Sequence, residues 1–182
     1  MKQATLDGRE YTLREFTEAD SGNPHWFLSY ICTLIDDPDA MIKLKDKPSL
    51  EEEEQWLDAV EAAVCNSREV MILAERQGSL VGIADMRQHP GRSDHIAEIA
   101  ISIVGEQNRG IGLGSALMTE LIDVGLTAIK PGPTILRLSV FDKNERAKAL
   151  YRKLDFTEVA RIPGQFEFQG VLQDEIILLR RC

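Results

Sequence analysis

ISIVGEQNRGIGLGSALM, residues 101–118, places an apolar strand before a glycine-rich turn and the start of a long helix. Such a turn exposes backbone N–H groups, and the N-terminus of the helix adds a partial positive charge. The two features together predict an anion site suited to a phosphate. Gly110 and Gly112 let the backbone approach the ligand because neither carries a Cβ, and Arg109 supplies a positive charge nearby.

Other glycine-rich motifs fit this stretch less well. A dinucleotide-binding fingerprint requires GxGxxG, whereas the third glycine here, Gly114, follows Gly112 by only two residues. A Walker loop ends in Gly-Lys followed by Ser or Thr, and this dipeptide is absent. A turn that binds no ligand remains an alternative for this motif taken alone.

Outward from this stretch, hydrophobic periodicity predicts a mixed α/β sheet. Ser49 and Glu52 form a capping box at the start of one helix, and Gln77-Gly78 is a hairpin turn. Residues 20–48 stay unassigned, because prolines and an aspartate cluster interrupt the pattern. The predicted strands are 11–16, 70–75, 80–86, 96–104, 134–140, 156–162 and 174–179. The predicted helices start at 17 and span 50–64, 110–129 and 144–154.

The composition is that of an ordinary globular chain. Its 182 residues carry a net charge of −9, which argues against nucleic-acid binding and mildly favours a cationic small molecule or a basic peptide as partner. The alternative is that the acidity only keeps the protein soluble. Three scattered cysteines and three histidines without ligand spacing predict neither a disulfide framework nor a metal site. No apolar leader or membrane-length segment is present, so the expectation is a single domain over residues 1–182 in the cytoplasm.

A second motif, VFDKNERAKALYRKLDF, covers residues 140–156. Asn144 is well suited to cap the helix that follows it. Tyr151 lies on the same apolar side as Leu150 and Leu154, which is also what simple core packing requires. Each residue taken alone therefore has a purely structural interpretation.

In order and at their spacing of about 35 residues, the two motifs resemble the GNAT superfamily of N-acetyltransferases. The cofactor motif of that family, Gln or Arg-x-x-Gly-x-Gly or Ala, matches Gln107 to Gly112, and its Asn-x-x-Ala-x-x-Leu-Tyr motif matches Asn144 to Tyr151. The resemblance covers about residues 80–179, including the segment 92–99 and a final hairpin near 169–175. Asp155 departs from the family, because glycine usually precedes the phenylalanine at this turn.

The resemblance implies a mixed, mostly antiparallel sheet of six or seven strands with helices on both faces. It also implies acetyl-CoA as co-substrate and no metal. Backbone groups of residues 101–104 would pair with the pantetheine arm, Asn144 would bind that arm, and Tyr151 would protonate the departing thiolate. The implied cofactor-binding residues are Ile101, Ser102, Ile103, Val104, Gln107, Asn108, Arg109, Gly110, Ile111, Gly112, Asn144, Ala147 and Tyr151.

Glu98 is the candidate base, because a carboxylate within an otherwise apolar strand needs a reason. A solvent-facing glutamate is the alternative, and His95 and Ser102 are weaker candidates. The expected function is acetyl transfer to a primary amine of a small molecule such as an amino acid or polyamine. A protein N-terminal or lysine acetyltransferase and a non-catalytic acyl-CoA-binding domain stay open, as does a homodimer. The acceptor site is expected at residues 20–45 and 161–171.

Overall fold

One eight-stranded sheet forms the framework of the computed structural model, which describes residues 1–182. Its spatial order is β1-β2-β3-β4-β5-β6-β8-β7. The strands are β1 Lys2–Leu6, β2 Arg9–Glu15, β3 Glu69–Arg76, β4 Ser79–Gln88, β5 Ile96–Ile103, β6 Ile135–Phe141, β7 Thr157–Phe168 and β8 Val171–Arg181. The helices are α1 Glu18–Ser21, α2 Pro24–Asp36, α3 Leu50–Cys65, α4 Leu113–Ala128 and α5 Glu145–Lys153.

The parallel pair β5 and β6 is the exception in an otherwise antiparallel sheet. These strands are paired only from Ile96↔Ile135 to Glu98↔Arg137. Beyond Glu98 they diverge, although β5 continues to Ile103 and β6 to Phe141. The divergence, called the splay below, opens a cleft in the middle of the sheet.

Helix α4 covers one face of the sheet. A Cβ added to Gly82 on β4 would lie 2.8 Å from Leu117 Cδ1, and one added to Gly125 on α4 would lie 2.6 Å from Met86 Sδ. The even-numbered residues of β4 therefore face α4. Helix α2 lies on the opposite face, where the Tyr30 hydroxyl lies 2.7 Å from Ser102 Oγ. The predicted helices on both faces are confirmed.

The mixed, mostly antiparallel class is confirmed, but the sheet has eight strands where six or seven were predicted. The additional strand, β1, is short, polar and at the edge, so it lacks the apolar run that the prediction required. Helix α2 was also unassigned. Pro24 was interpreted as a breaker, whereas it occupies the first turn of α2, where proline is favoured. No helix of the chain is both long enough and apolar enough to cross a membrane.

The contact between α4 and the sheet predicts strong coupling between Leu117 and Gly82. Leu117 is fully buried, so we expect Leu117→Ala to cost about 2–5 kcal/mol of unfolding free energy. Gly82→Ala should cost less in that background than in the wild type, because the atom that its Cβ would meet is gone. Urea unfolding of the two single variants and the double variant measures the coupling. Additive effects would show that Leu117 does not pack on Gly82.

Candidate active site

The loop between β5 and α4 presents several unused N–H groups. Gly110 and Gly112 have φ values of +75° and +98°, a conformation that glycine adopts without strain. The N–H groups of Gly110, Ile111 and Gly112 make no hydrogen bond within the chain. They lie beside the first turn of α4, whose leading N–H groups also lack helical acceptors. This arrangement fits the pyrophosphate of a CoA molecule, because no atom lies within 4 Å of a Cβ position at Gly110.

Buried hydrogen bonds hold this loop to the sheet. Asn108 is only 2% exposed, and its side chain accepts a bond from the Tyr11 hydroxyl and donates one to Val104 O, both at 2.8 Å. The guanidinium of Arg9 donates to the carbonyl of Gln107. The side chain of Asn108 therefore shapes the loop and does not face a ligand. The groups of this loop that are free to bind a cofactor are the backbone N–H groups of residues 110–112.

Arg109 binds groups of its own chain. Its Nε and Nη2 atoms donate to Ile103 O at 3.1 and 2.9 Å, and its guanidinium pairs with Asp37 at 2.6 Å. The Arg109 guanidinium, which the sequence placed near the phosphate site, therefore binds the end of β5 and the residue that follows α2. Its backbone N–H donates to Glu106 O within the preceding turn.

The splay exposes alternate backbone groups of β5. The N–H of Val104 donates to Val81 O across the β4 edge, and His95 O accepts from Thr134 and Ile135 across the β6 edge. Because backbone groups alternate between the two edges of a strand, those of Ile101 and Ile103 face the splay. Of the four residues proposed to pair with pantetheine, these two present groups to it. Ser102 and Val104 present theirs to β4.

The second motif lies on α5 beside α4. Asn144 Oδ1 accepts a 3.0 Å bond from the Ala147 N–H, so Asn144 caps the helix while its amide N–H₂ has no partner in the chain. Burial raises the pKa of Tyr151 to about 12, so the phenol keeps its proton at neutral pH. The ring of Tyr151 packs with Phe156, at 6.2 Å between centroids. Asp155 has φ +63°, the left-handed conformation for which glycine is usual.

Glu98 belongs to a charged group on the α2 face of the sheet. Its Oε2 lies 3.3 Å from His89 Nε2 and 3.5 Å from Arg137 Nε, at the last paired position before the splay. The alternative candidates are placed differently. The Ser102 hydroxyl is hydrogen-bonded to Tyr30. His95 precedes β5, at the end of the strand remote from the loop between β5 and α4, which is called the cofactor loop below.

A further group of side chains lines the α2 face beyond the splay. Lys43 and Phe166 come from the segments 20–45 and 161–171, where the acceptor site was expected, whereas Ser139, Phe141 and Glu175 were not singled out by the sequence. Lys43 Nζ donates to Ser139 Oγ at 2.7 Å, lies 3.7 Å from Glu175 Oε1 and stands 5.6 Å from the centre of the Phe166 ring. Phe166 stacks on Phe141 with centroids 4.4 Å apart. We call Ser139, Phe141, Phe166 and Glu175 the amine pocket. Only the register of β6, β7 and β8 brings these four residues together.

Comparison with known families identifies the class of protein. The model of the acetyltransferase (GNAT) family matches residues 35–156, which is most of the chain. The chain belongs to this family and is an acetyl-CoA-dependent acetyltransferase. Comparison with curated protein sequences gives no match. The structure contains no group of three His, Cys, Asp or Glu side chains placed to hold a metal.

Solved structures share the fold along nearly the whole chain. The ribosomal-protein-alanine N-acetyltransferase of Brucella melitensis is 21% identical, with a TM-score of 0.77 over 94% of this chain and 99% of its own. A GNAT-family acetyltransferase of Streptococcus pneumoniae is 20% identical, with a TM-score of 0.80 over 94% and 98%. A phosphinothricin acetyltransferase of Sinorhizobium meliloti in complex with acetyl-CoA is 17% identical, with a TM-score of 0.75 over 94% and 88%.

The loop geometry predicts that Gly112→Val weakens CoA binding. A β-branched residue at φ +98° costs about 1–3 kcal/mol of backbone strain and puts side-chain atoms where the backbone approaches the ligand. Calorimetry with CoA should show affinity at least about tenfold weaker. Gly91→Val is the matched control, because Gly91 is also left-handed, at φ +64°, but lies outside the loop. Equal affinities in the two variants would place the pyrophosphate elsewhere.

Proposed function

We propose that this chain transfers an acetyl group from acetyl-CoA to a primary amine of a small cationic molecule, such as an amino acid or a polyamine. All 182 residues would act as one N-acetyltransferase domain. Its three cysteines are free, which is consistent with a cytoplasmic enzyme. The alternative acceptor is a protein N-terminus or a lysine side chain.

The position of the Lys43 ammonium carries this proposal. It makes the contacts that an alkylammonium group seeks: a hydroxyl acceptor on Ser139, a carboxylate on Glu175 and the aromatic face of Phe166. Ser139 follows Arg137 by two residues on β6, so this ammonium stands next to the splay. A substrate amine that replaced it would stand beside the place proposed for the thioester.

The remaining residues supply binding and protons. Bound acetyl-CoA brings the activated thioester. The N–H groups of residues 110–112 would hold its pyrophosphate, and the edge of β5 at Ile101 would hold its pantetheine arm in the manner of an added strand. The unpartnered amide N–H₂ of Asn144 would donate to the same arm. Tyr151, protonated at neutral pH, would donate to the departing thiolate.

Deprotonation of the ammonium is assigned to the carboxylates of the α2 face. An alkylammonium has a pKa near 10, so little free amine exists at neutral pH without a base. Glu98 lies at the last paired position before the splay. Its carboxylate contacts His89, a partly exposed side chain through which a proton could pass to solvent. We propose that Glu98 takes part in removing this proton.

An amine panel with a thiol-release assay tests the function directly. We expect turnover of cationic amines, and we expect Glu175→Gln to lower kcat/KM by about two- to fivefold, because an ion pair with an exposed partner contributes about 0.2–1 kcal/mol. Glu167→Gln is the control, since Glu167 lies on the same hairpin, is exposed and contacts only Lys45, at 3.5 Å. An equal loss in both variants would remove the amine pocket from acceptor binding.

The same panel separates small molecules from proteins. The segment 37–47 crosses the α2 face, with Gln169 bonded to Pro38 O and Lys45 paired with Glu167. This cover favours a small acceptor over an extended peptide. Preferred turnover of peptides with a free N-terminus or lysine would instead establish the alternative, which is the kind of activity stated in the name of the Brucella melitensis relative.

The role assigned to Tyr151 predicts that Tyr151→Phe slows acetylation and leaves CoA affinity nearly unchanged. The substitution deletes one hydroxyl that has no partner in the chain and keeps the ring on Phe156. General acid catalysis typically contributes about 10²–10⁴-fold, so a loss of at least tenfold is expected in single-turnover rates. Tyr151→Ala should instead lower the melting temperature. Full activity of Tyr151→Phe across several amines would make Tyr151 a core residue only.

A further inference from the structure

Asp85 places a carboxyl group on the α2 face, next to the strand that borders the splay. It lies on β4 opposite Ala100 of β5 and Met71 of β3. Its neighbours Ala84 and Met86 point toward α4, so the side chain of Asp85 points to the other face. It therefore shares a face with Glu98, its diagonal neighbour on β5, at about 7–8 Å between backbones.

The Asp85 carboxylate has no hydrogen bond and no ion pair within the chain. The nearest cation, Arg87, is committed to Glu69 through a 2.6 Å pair. The titratable and charged groups that face Asp85 are Glu69 from β3, Arg87 from β4, Glu98 from β5 and Tyr30 from α2. Two of these groups are acids, and a carboxyl with such neighbours contributes nothing evident to stability. A function in the reaction would account for the Asp85 carboxyl.

Ala100 lies between Asp85 and the splay. It is exposed and lies on the α2 face, between Glu98 and Ser102 along β5. Its methyl group leaves open the space above the strand, which separates β4 from the splay by about 5 Å. An amine above Ala100 has Asp85 on one side and the amine pocket beyond the splay on the other.

We propose that Asp85 is the inner proton acceptor of the reaction and that Glu98 and His89 carry its proton to solvent. This rests on the proposed amine acetylation. The acceptor ammonium gives one proton to Asp85 and becomes the free amine. The amine nitrogen then forms the C–N bond as the C–S bond breaks. The nitrogen loses its second proton to water, and the departing sulfur takes the hydroxyl proton of Tyr151, which a proton from water then replaces. Asp85 returns to its carboxylate by passing its proton to the Glu98–His89 pair.

The electrostatics of the site agree with this assignment. Burial, followed by the charge of Glu69, raises the pKa of Asp85 to about 7, which suits a base that works near neutrality. A carboxyl with a raised pKa in the folded protein binds more protons folded than unfolded, so its contribution makes stability fall between about pH 4 and pH 7. Asp85→Asn should therefore raise the melting temperature at pH 8 relative to the wild type and have little effect at pH 4. A merely structural aspartate would give the opposite result at pH 8.

The decisive experiment measures kcat/KM against pH for wild type, Asp85→Asn, Glu98→Gln and the control Asp123→Asn, an exposed position on α4. Two amines of different pKa separate substrate titration from enzyme titration. In the wild type and in the control, we expect kcat/KM to rise with pH around neutrality as the base loses its proton; this rise is called the limb below. Asp85→Asn should abolish it and lower kcat/KM at least tenfold at pH 7, with CoA affinity by calorimetry unchanged. Glu98→Gln should keep the limb and move it to lower pH, because a neighbouring negative charge is lost.

Other pH profiles would contradict the assignment of Asp85. If Asp85→Asn retains the limb and Glu98→Gln abolishes it, Glu98 is itself the inner acceptor and the assignment of Asp85 is wrong. If both variants retain it, neither carboxyl takes the proton. If the wild type turns over no amine while binding CoA, the proposed function fails before this inference is reached.

Discussion

The structure depends on the separation of β5 from β6 after Glu98. Two parallel strands that part within a sheet leave unpaired backbone groups near its centre, and such groups are costly unless something binds them. In this chain Arg109 satisfies Ile103 O, and the remaining groups are available to a ligand with amide chemistry. The glycine loop, the capped helix α5 and the amine pocket are all arranged around this gap.

The charged residues of the site lie on one face of the sheet, whereas apolar burial uses both faces. Leu117, Leu121 and Met86 are fully buried between α4 and the sheet, so that face supplies apolar burial. The α2 face also buries apolar side chains, among them Leu73 and Ile83, and in addition it carries charged residues such as Asp85 and Glu98. The alternation of side chains along each strand permits this arrangement, because neighbouring residues on one strand serve opposite faces.

Local features of the site could be predicted from the sequence, whereas features that depend on strand register could not. The strand–loop–helix at Ile101–Gly112 and the Asn144 cap follow from turn and capping chemistry within a few residues. Glu98 stood out as a charge in an apolar strand. Asp85 and Glu175 did not, because their meaning comes from neighbours on other strands. Lys43 lies in the stretch 20–48, where a proline at the start of α2 was mistaken for a break.

That stretch also links the two halves of the site. Asp37 pairs with Arg109 beside the cofactor loop, and six residues later Lys43 stands in the amine pocket. A substrate ammonium cannot bind Ser139 and Glu175 while Lys43 holds them. The Lys43 side chain is 58% exposed, and exposed ion pairs contribute only about 0.2–1 kcal/mol. Under the proposed function, an acceptor must therefore make contacts beyond those of Lys43 in order to displace it.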